Sequence, residues 1–327
     1  MPKNDAPSAG ELLRRLQGRL KMRHLQLLLY IRQHGSLTRV AEHLSTTQPA
    51  VTNMLAELEG MFGVRLFRRS ARGMTPTPLG ELVLTYASTM LHDLDRLAHD
   101  MEAFSAGYAM RLHVGVTPFV SGRLLTKVLG RSQLPQYRMA VQVHEGITDD
   151  MIERLRDHRL DIVIGRASPL LDVRGLQFAP LYAQQPRLIA NRRLAAALTR
   201  GPLSWAALAQ LDWVLGAPNT MLREQVANLF LDAGVAPPLP ITESVSSKLI
   251  GEIIASSERA VSIVPADAAE ELVRIAGVAI VPFSFHWNLQ PVTLFTRQDA
   301  QDQAQVQQFI ALLHEASGEM QSAHAGG

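Results

Sequence analysis

Apolar positions between residues 37 and 58 fall into two short runs at helical spacing. Leu37, Val40, Ala41 and Leu44 share one face of a first helix, and Val51, Leu55 and Leu58 share one face of a second. Ser45-Thr46-Thr47 reads as the turn between them. Thr47 is placed to cap the second helix, and Pro49 falls in its first turn, where a missing N–H costs nothing. With Val51, Leu55 and Leu58 inward, Gln48, Pro49, Thr52 and Asn53 must face out. The result is a small polar surface at a helix N-terminus, the end that a helix-turn-helix unit presents to the DNA major groove. Beyond it, residues 69–73 are short enough to form a hairpin tip. Such a wing carries Arg68, Arg69 and Arg72 along phosphates or into the minor groove.

The pattern on either side predicts the rest of the chain. Residues 11–21 read as an extra basic helix, and 22–34 as the opening helix of the module, with Leu25, Leu28 and Leu29 on its buried side. Later, Leu79, Val83, Tyr86, Met90, Leu94, Leu97, Met101, Phe104 and Tyr108 recur in steps of three and four, and no Pro or Gly interrupts 81–106. That is a coiled-coil seam with one stutter. A helix over 79–108 spans about 45 Å, too long for so small an N-terminal unit to bury. It is predicted to join two copies of the chain; the competing reading is a core helix lying on the following domain. From residue 110 the texture changes. Strands are predicted at 112–116, 139–144, 161–165, 187–190, 213–215, 260–264, 279–281 and 292–295, with helices between them, including 148–158 and a closing one at 302–317. Segment 161–165 is wholly apolar after its Asp, as a central parallel strand should be. The alternation means an α/β sheet.

Composition adds limits. A length of 327 residues allows two or three domains. A hydrophobic fraction of 47% is ample for their cores, which leaves disorder to the first ten residues and the closing 323–327. The net charge of +2 implies no particular partner, but its distribution does: residues 12–77 hold eleven Lys/Arg against three acids, and 78–109 hold one Arg against five. A basic unit on a neutral body is the footprint of a duplex binder. The chain has no cysteine, which excludes disulfides, thiolate zinc sites and a cysteine nucleophile. No apolar run approaches the roughly 20 residues of a membrane span, and the N-terminus lacks a signal-peptide core. A cytoplasmic protein without membrane association is expected. G-x-S-x-G, H-E-x-x-H, P-loop and G-x-G-x-x-G motifs are all missing from the sequence. Ser244 and Lys248 stand four apart, but a capping serine accounts for that; His92 and His99 stand seven apart and read as solvent-facing. An enzyme is not expected, nor a metal or other cofactor.

Gly35-Ser36-Leu37, Val40-Ala41-Glu42, Leu44, Gln48-Pro49-Ala50-Val51, Leu58-Glu59, Gly63-Val64-Arg65-Leu66-Phe67-Arg68-Arg69 and Thr75-Pro76-Thr77 resemble the N-terminal signature of the LysR-type transcriptional regulators. The family commonly has Ser followed by Arg or Lys after the Gln-Pro-Ala-Val run, where this chain has Thr52-Asn53. Residues 146–166, GITDDMIERLRDHRLDIVIGR, are similar to a stretch of the family's effector domain. The resemblance implies an N-terminal extension at 1–20, a winged helix-turn-helix DNA-binding domain at 21–78, a linker and dimerisation helix at 79–109, and an effector domain at 110–327. That last domain would be a two-lobed α/β fold like type 2 periplasmic binding proteins, with lobe one at 110–181 and 284–327 and lobe two at 182–283. It also implies a homodimer or homotetramer on double-stranded DNA, a small-molecule effector between the lobes, and contact with RNA polymerase. The leader at 19–26 is similar to a branch that includes regulators of aromatic-acid and sugar metabolism.

In open α/β sheets, ligands bind beyond the carboxyl ends of strands, where helix N-termini offer free N–H groups. Four places qualify. Thr117, Pro118 and Phe119 follow the first strand; Glu145 and Thr148 bracket the exit of the second. Asn219 and Thr220 open the helix that contains Arg223, and Ser246 and Ser247, after Ser244, open the helix at 248–255. Each hydroxyl alone reads as an N-cap. Thr117 also matches the position of the hydroxyl residue that commonly touches effector in the family. Such groups suit an anionic ligand such as an organic acid; aromatic and sugar-derived effectors are the other classes. The rival readings are a solute-binding component, an architectural DNA binder without sequence preference, and an enzyme with a DNA-binding appendage.

Overall fold

Helices open the chain: α1 (Ala9–Arg19), α2 (Met22–His34), α3 (Leu37–His43) and α4 (Gln48–Phe62). The structure is a computed structural model that describes residues 8–70, 73–167, 171–218, 220–287 and 289–325. Two compact units part between Met101 and Glu102, except that Asp157–Arg159 group with the first. In the first, Leu27, Leu28, Ile31, Val40, Val51 and Leu58 are wholly buried in one core, with Leu16 and Leu20 at its margin. The helical periodicity read from the sequence therefore faces inward, with one exception. Leu44 lies past the end of α3, at its C-cap, and is 37% exposed. Thr47 occupies the N-cap of α4, but its side chain makes no capping hydrogen bond.

The wing follows as β1 (Phe67–Ser70) and β2 (Gly73–Pro76), paired antiparallel from Phe67 with Pro76 to Ser70 with Gly73. Glu59 sets where it begins. Its Oε1 accepts from the Leu66 and Phe67 N–H groups at 2.8 and 3.1 Å. Helix α5 (Pro78–Ser105) leaves the wing through Gly80, where a Cβ would stand 2.0 Å from the Leu66 carbonyl oxygen. Leu84 and Ala87 on this helix belong to the core of the first unit. The predicted seam lies on another face: Tyr86, Met90, Leu94, Leu97, Met101 and Phe104 are all exposed, Phe104 by 76%. The helix stops at Ser105, three residues short of the expected Tyr108, because Gly107 takes a left-handed conformation at φ +84.

The second unit is built on two five-stranded sheets. It begins with β3 (Met110–Val116), α6 (Gly122–Ser132), β4 (Met139–Glu145), α7 (Thr148–Arg156), β5 (Ile162–Gly165) and β6 (Leu176–Tyr182). The chain then crosses at 183–185 to β7 (Pro186–Ala190), α8 (Arg192–Leu198), α9 (Trp205–Leu208), β8 (Asp212–Leu215), α10 (Met221–Asp232), β9 (Pro240–Glu243), α11 (Ser247–Ser256), β10 (Ala260–Pro265), α12 (Ala266–Ile275) and β11 (Ala279–Val281). It returns for β12 (Val292–Arg297) and α13 (Ala304–Ala325). The first sheet has the order β4-β3-β5-β12-β6 and the second β11-β7-β10-β8-β9. In the first, β3 runs parallel to β4 and β5, while β12 is antiparallel to β5 and β6.

Several elements depart from the sequence expectation. Two edge strands, β6 and β9, were not predicted, and Tyr182 closes β6 one residue past the expected lobe border at 181. Helix α7 ends at Arg156 rather than 158, since His158 is left-handed at φ +60. Helix α6, which the sequence predicts to begin just after Thr117-Pro118, starts at Gly122. Helix α13 starts at Ala304 and runs eight residues past the expected end at 317. Val306, Phe309, Leu312 and Leu313 of that helix pack into the core of the first sheet with Leu112, Val114 and Ile164.

Candidate functional site

The first unit presents one polar surface and one basic one. At the start of α4, Pro49, Thr52 and Asn53 are exposed and Gln48 is half-buried. Gln48 Nε2 donates to Thr52 Oγ1 at 3.0 Å, and that hydroxyl donates back to the Gln48 carbonyl oxygen at 2.9 Å. One helical turn thus holds the Gln48 amide in place, with the amide orientation following from the hydrogen bonds. With no side-chain cap and no acid in the first turn, the positive end of the α4 dipole is uncompensated. Arg65, Arg68 and Arg69 are exposed beside it in the chain, the latter two on β1, whose buried Phe67 anchors the wing. Arg72 lies outside the described residues.

In the second unit a cavity of about 590 Å³ opens at the carboxyl ends of β3, β5 and β8. Thr117, Pro118, Phe119, Thr148 and Thr220, all named from the sequence, line it together. Each arrives by its own backbone route. Thr117 is 7% exposed, and its N–H donates to the Ile164 carbonyl across the strand ends at 2.9 Å. It does not cap α6: Ser121 does, accepting from Leu124 N–H. Gly165 makes room for it, since a Cβ there would meet Thr117 Cγ2 at 2.5 Å. Phe119 is held in the left-handed region at φ +66, a strained conformation for a bulky residue. Its carbonyl accepts from Gln184 Nε2 at 3.0 Å. Thr148 is the first residue of α7, and Thr220 caps α10, accepting from Arg223 N–H at 3.4 Å.

The remaining candidates sit elsewhere. Glu145 ends β4 exposed and does not line the cavity. Ser246 is the N-cap of α11, accepting from Leu249 N–H at 3.3 Å; neither it nor Ser247 lines the cavity, where Val245 appears instead. Asn219 lies outside the described residues.

Sequence reading missed the charged lining. Arg166 follows β5 directly and is 7% exposed, while Arg156, Asp149, Glu153, Asp172 and Glu224 also border the space. Burial pulls the Arg166 pKa down to about 10, opposed by Tyr182 and Asp267. Burial also raises Asp267 above the usual carboxylate range, against the hydrogen bond from Gln184. Asp172 is held well below that range by hydrogen bonds from Arg174. The one available signal for Arg166 was a charge placed immediately after an all-apolar strand.

Comparison with known proteins adds the following. Residues 22–81 match the family described as "Bacterial regulatory helix-turn-helix protein, lysR family", and 105–318 match "LysR substrate binding domain". The chain is 28% identical over 286 residues to the transcriptional regulator GbpR of Azospirillum brasilense, covering 87% of this chain and 83% of that protein. It is 28% identical over 312 residues to the regulator PcaQ of Agrobacterium fabrum, covering 92% and 96%. Its fold is similar to the crystal structure of CbnR, a LysR family transcriptional regulator, with a TM-score of 0.64 at 19% identity over 91% of this chain and 99% of that one. The same fold similarity holds for full-length CbnR complexed with its target DNA, at a TM-score of 0.64 and 20% identity, covering 91% and 100%.

Proposed function

Since the chain belongs to the LysR family and is a DNA-binding transcriptional regulator rather than an enzyme, we propose the following division of labour. Residues 21–78 read an operator, preceded by the extension at 1–20; 79–109 pair two subunits; 110–327 hold a small-molecule effector between the lobes. Gln48, Thr52 and Asn53 face base edges, while Arg68, Arg69 and Arg72 bind phosphate or minor groove. A homodimer or homotetramer binds an inverted repeat, since paired helix-turn-helix units match a two-fold operator. Effector changes the placement of these units, and with it DNA bending and contact with RNA polymerase. It does so only through a difference in its affinity for the two arrangements. An organic acid, aromatic compound or sugar derivative is the effector class.

One observation carries this reading. Five residues named from the sequence, on segments far apart in the chain, converge on a single cavity of about 590 Å³, within the size of small-molecule sites. No helix among the described residues is long and apolar enough to cross a membrane.

The test is selection of bound sequences from a random duplex pool by the full chain. An enriched inverted repeat is expected. Gln48→Ala should relax preference at one base pair per half-site, because a bidentate Gln–adenine contact discriminates by about 1–3 kcal/mol. Absence of any enriched sequence would leave only non-specific binding.

A further inference from the structure

Arg166 extends from the carboxyl end of β5 into the cavity lining and is 7% exposed. Its Nε and Nη2 find no hydrogen-bond partner among the described residues. Those two N–H groups share one edge of the planar guanidinium and point the same way. They form the fork that meets both oxygens of a carboxylate side-on. Asp267 offsets part of the charge, but its two oxygens accept from Gln184 Nε2 at 2.6 and 2.7 Å, and burial pushes it toward protonation. Tyr182 is turned to Ser121, whose N–H donates to the Tyr182 hydroxyl oxygen at 2.8 Å. A buried arginine whose role is only structural is ordinarily hydrogen-bonded throughout. Here a charge and a matched pair of donors are left for a ligand.

The rest of the lining narrows what that ligand is. Asp149, Glu153 and Glu224 are acids on the cavity wall. Asp172 is engaged by Arg174, and the other wall cation, Arg156, donates to the Asp172 carbonyl. A second carboxylate on the ligand would face like charges, whereas hydroxyl groups would find acceptors.

We propose that Arg166 anchors the effector through Nε and Nη2, and that the effector is a small monocarboxylate bearing hydroxyl groups; this rests on the reading of the cavity as the effector site. Thr117 and Thr148 line the same cavity and complete the recognition, while the Thr220 hydroxyl is engaged at the cap of α10.

The experiment uses the full chain and four probes: acetate as the minimal carboxylate, glycerate as the hydroxy acid, tartronate as its dicarboxylate counterpart and glycerol as the neutral one. Thermal melts are compared with chloride at equal ionic strength. Acetate and, more strongly, glycerate are expected to raise the melting temperature of the wild type. Glycerol should leave it unchanged, and tartronate should act less than glycerate. In chloride, Arg166→Met should melt at or above the wild type, because it removes a buried charge with unmet donors, and neither carboxylate should protect it. Arg166→Lys keeps the charge without the fork, and calorimetry should show its Kd for glycerate raised by about tenfold or more. The proposal is overturned by equal protection of wild type and Arg166→Met, by no protection of the wild type, or by Arg166→Met melting below the wild type in chloride. Tartronate binding as tightly as glycerate would overturn the monocarboxylate. Glycerate binding wild type and Arg166→Met with the same Kd by calorimetry would remove the anchor while keeping the cavity as the effector site.

Discussion

Replacing Leu94 and Leu97 with glutamate tests whether α5 holds two subunits together. Both leucines lie on the exposed seam, Leu94 at 46% and Leu97 at 56%, so about half of each side chain is left to be covered. Burying a whole leucine side chain is worth about 2 kcal/mol, which makes each half about 1 kcal/mol. Two residues on each of two helices then forfeit about 4 kcal/mol before any repulsion among the introduced carboxylates. At about 1.4 kcal/mol per factor of ten, the dimer dissociation constant rises roughly a thousandfold or more. Leu94→Ala/Leu97→Ala should weaken pairing less, since it adds no charge. Sedimentation velocity across a concentration series reads the effect directly, and far-UV circular dichroism controls for the helix, which glutamate favours. The core residues of the same helix, Leu84 and Ala87, are untouched. A glutamate variant that sediments as the wild type at every concentration would refute the assignment of this face to self-association.

Arg69→Ala should weaken binding to many DNA sequences alike and reduce the slope of log affinity against log salt by about 1, as read by fluorescence anisotropy; an unchanged slope would take Arg69 off the phosphates. Gly80→Ala should destabilise the first unit by about 1–3 kcal/mol in denaturant unfolding, because its Cβ meets the Leu66 carbonyl at 2.0 Å, and a neutral result would contradict that close approach. His24 is wholly buried, and its Nδ1 accepts the Lys21 N–H at 3.2 Å, so the fold needs the neutral ring. Burial lowers its pKa below the ordinary 6.5. Its contribution is therefore present above pH 6.5 and lost as the pH falls below that value, with roughly 1 kcal/mol at stake in the cap. His24→Gln, which accepts the same N–H without titrating, should flatten melting temperature between pH 7.5 and 5.5; an equal slope in both proteins would acquit His24.

Elements with strong periodicity were legible, and the exceptions have physical causes. Helix α2 matches its predicted limits because apolar spacing and Gly35, left-handed at its C-cap, agree on where it stops. Strand β6 was hidden by Pro180, which an edge strand tolerates and a central strand does not. Strand β9 is a four-residue edge behind Pro237 and Pro238, too short for alternation to show. Apolar spacing carried the long helix through to Tyr108, past a Gly107 whose backbone ends it. At the cavity, position relative to strand ends was enough to find Thr117, Thr148 and Thr220. The same rule named Ser246, which caps α11 and does not line the cavity, because a cap and a cavity-lining hydroxyl look identical in sequence. Arg166 stood in the same motif as β5, but nothing in a linear sequence says that an arginine after Gly165 is enclosed rather than solvated.

The position of β12 has a consequence for synthesis. By the time Val281 has emerged from the ribosome, every strand of the second sheet exists. The first sheet at that moment is divided, because among the described residues β6 pairs with β12 and with no other strand. Residues 292–325, made last, bring both the missing strand and the helix that fills the core around Leu112 and Ile164. The lobe that begins first is thus completed last, with a long loop to close before its contacts form. A nascent chain arrested after Val281 presents an open strand edge and an uncovered apolar face, the combination that recruits aggregation partners and chaperones.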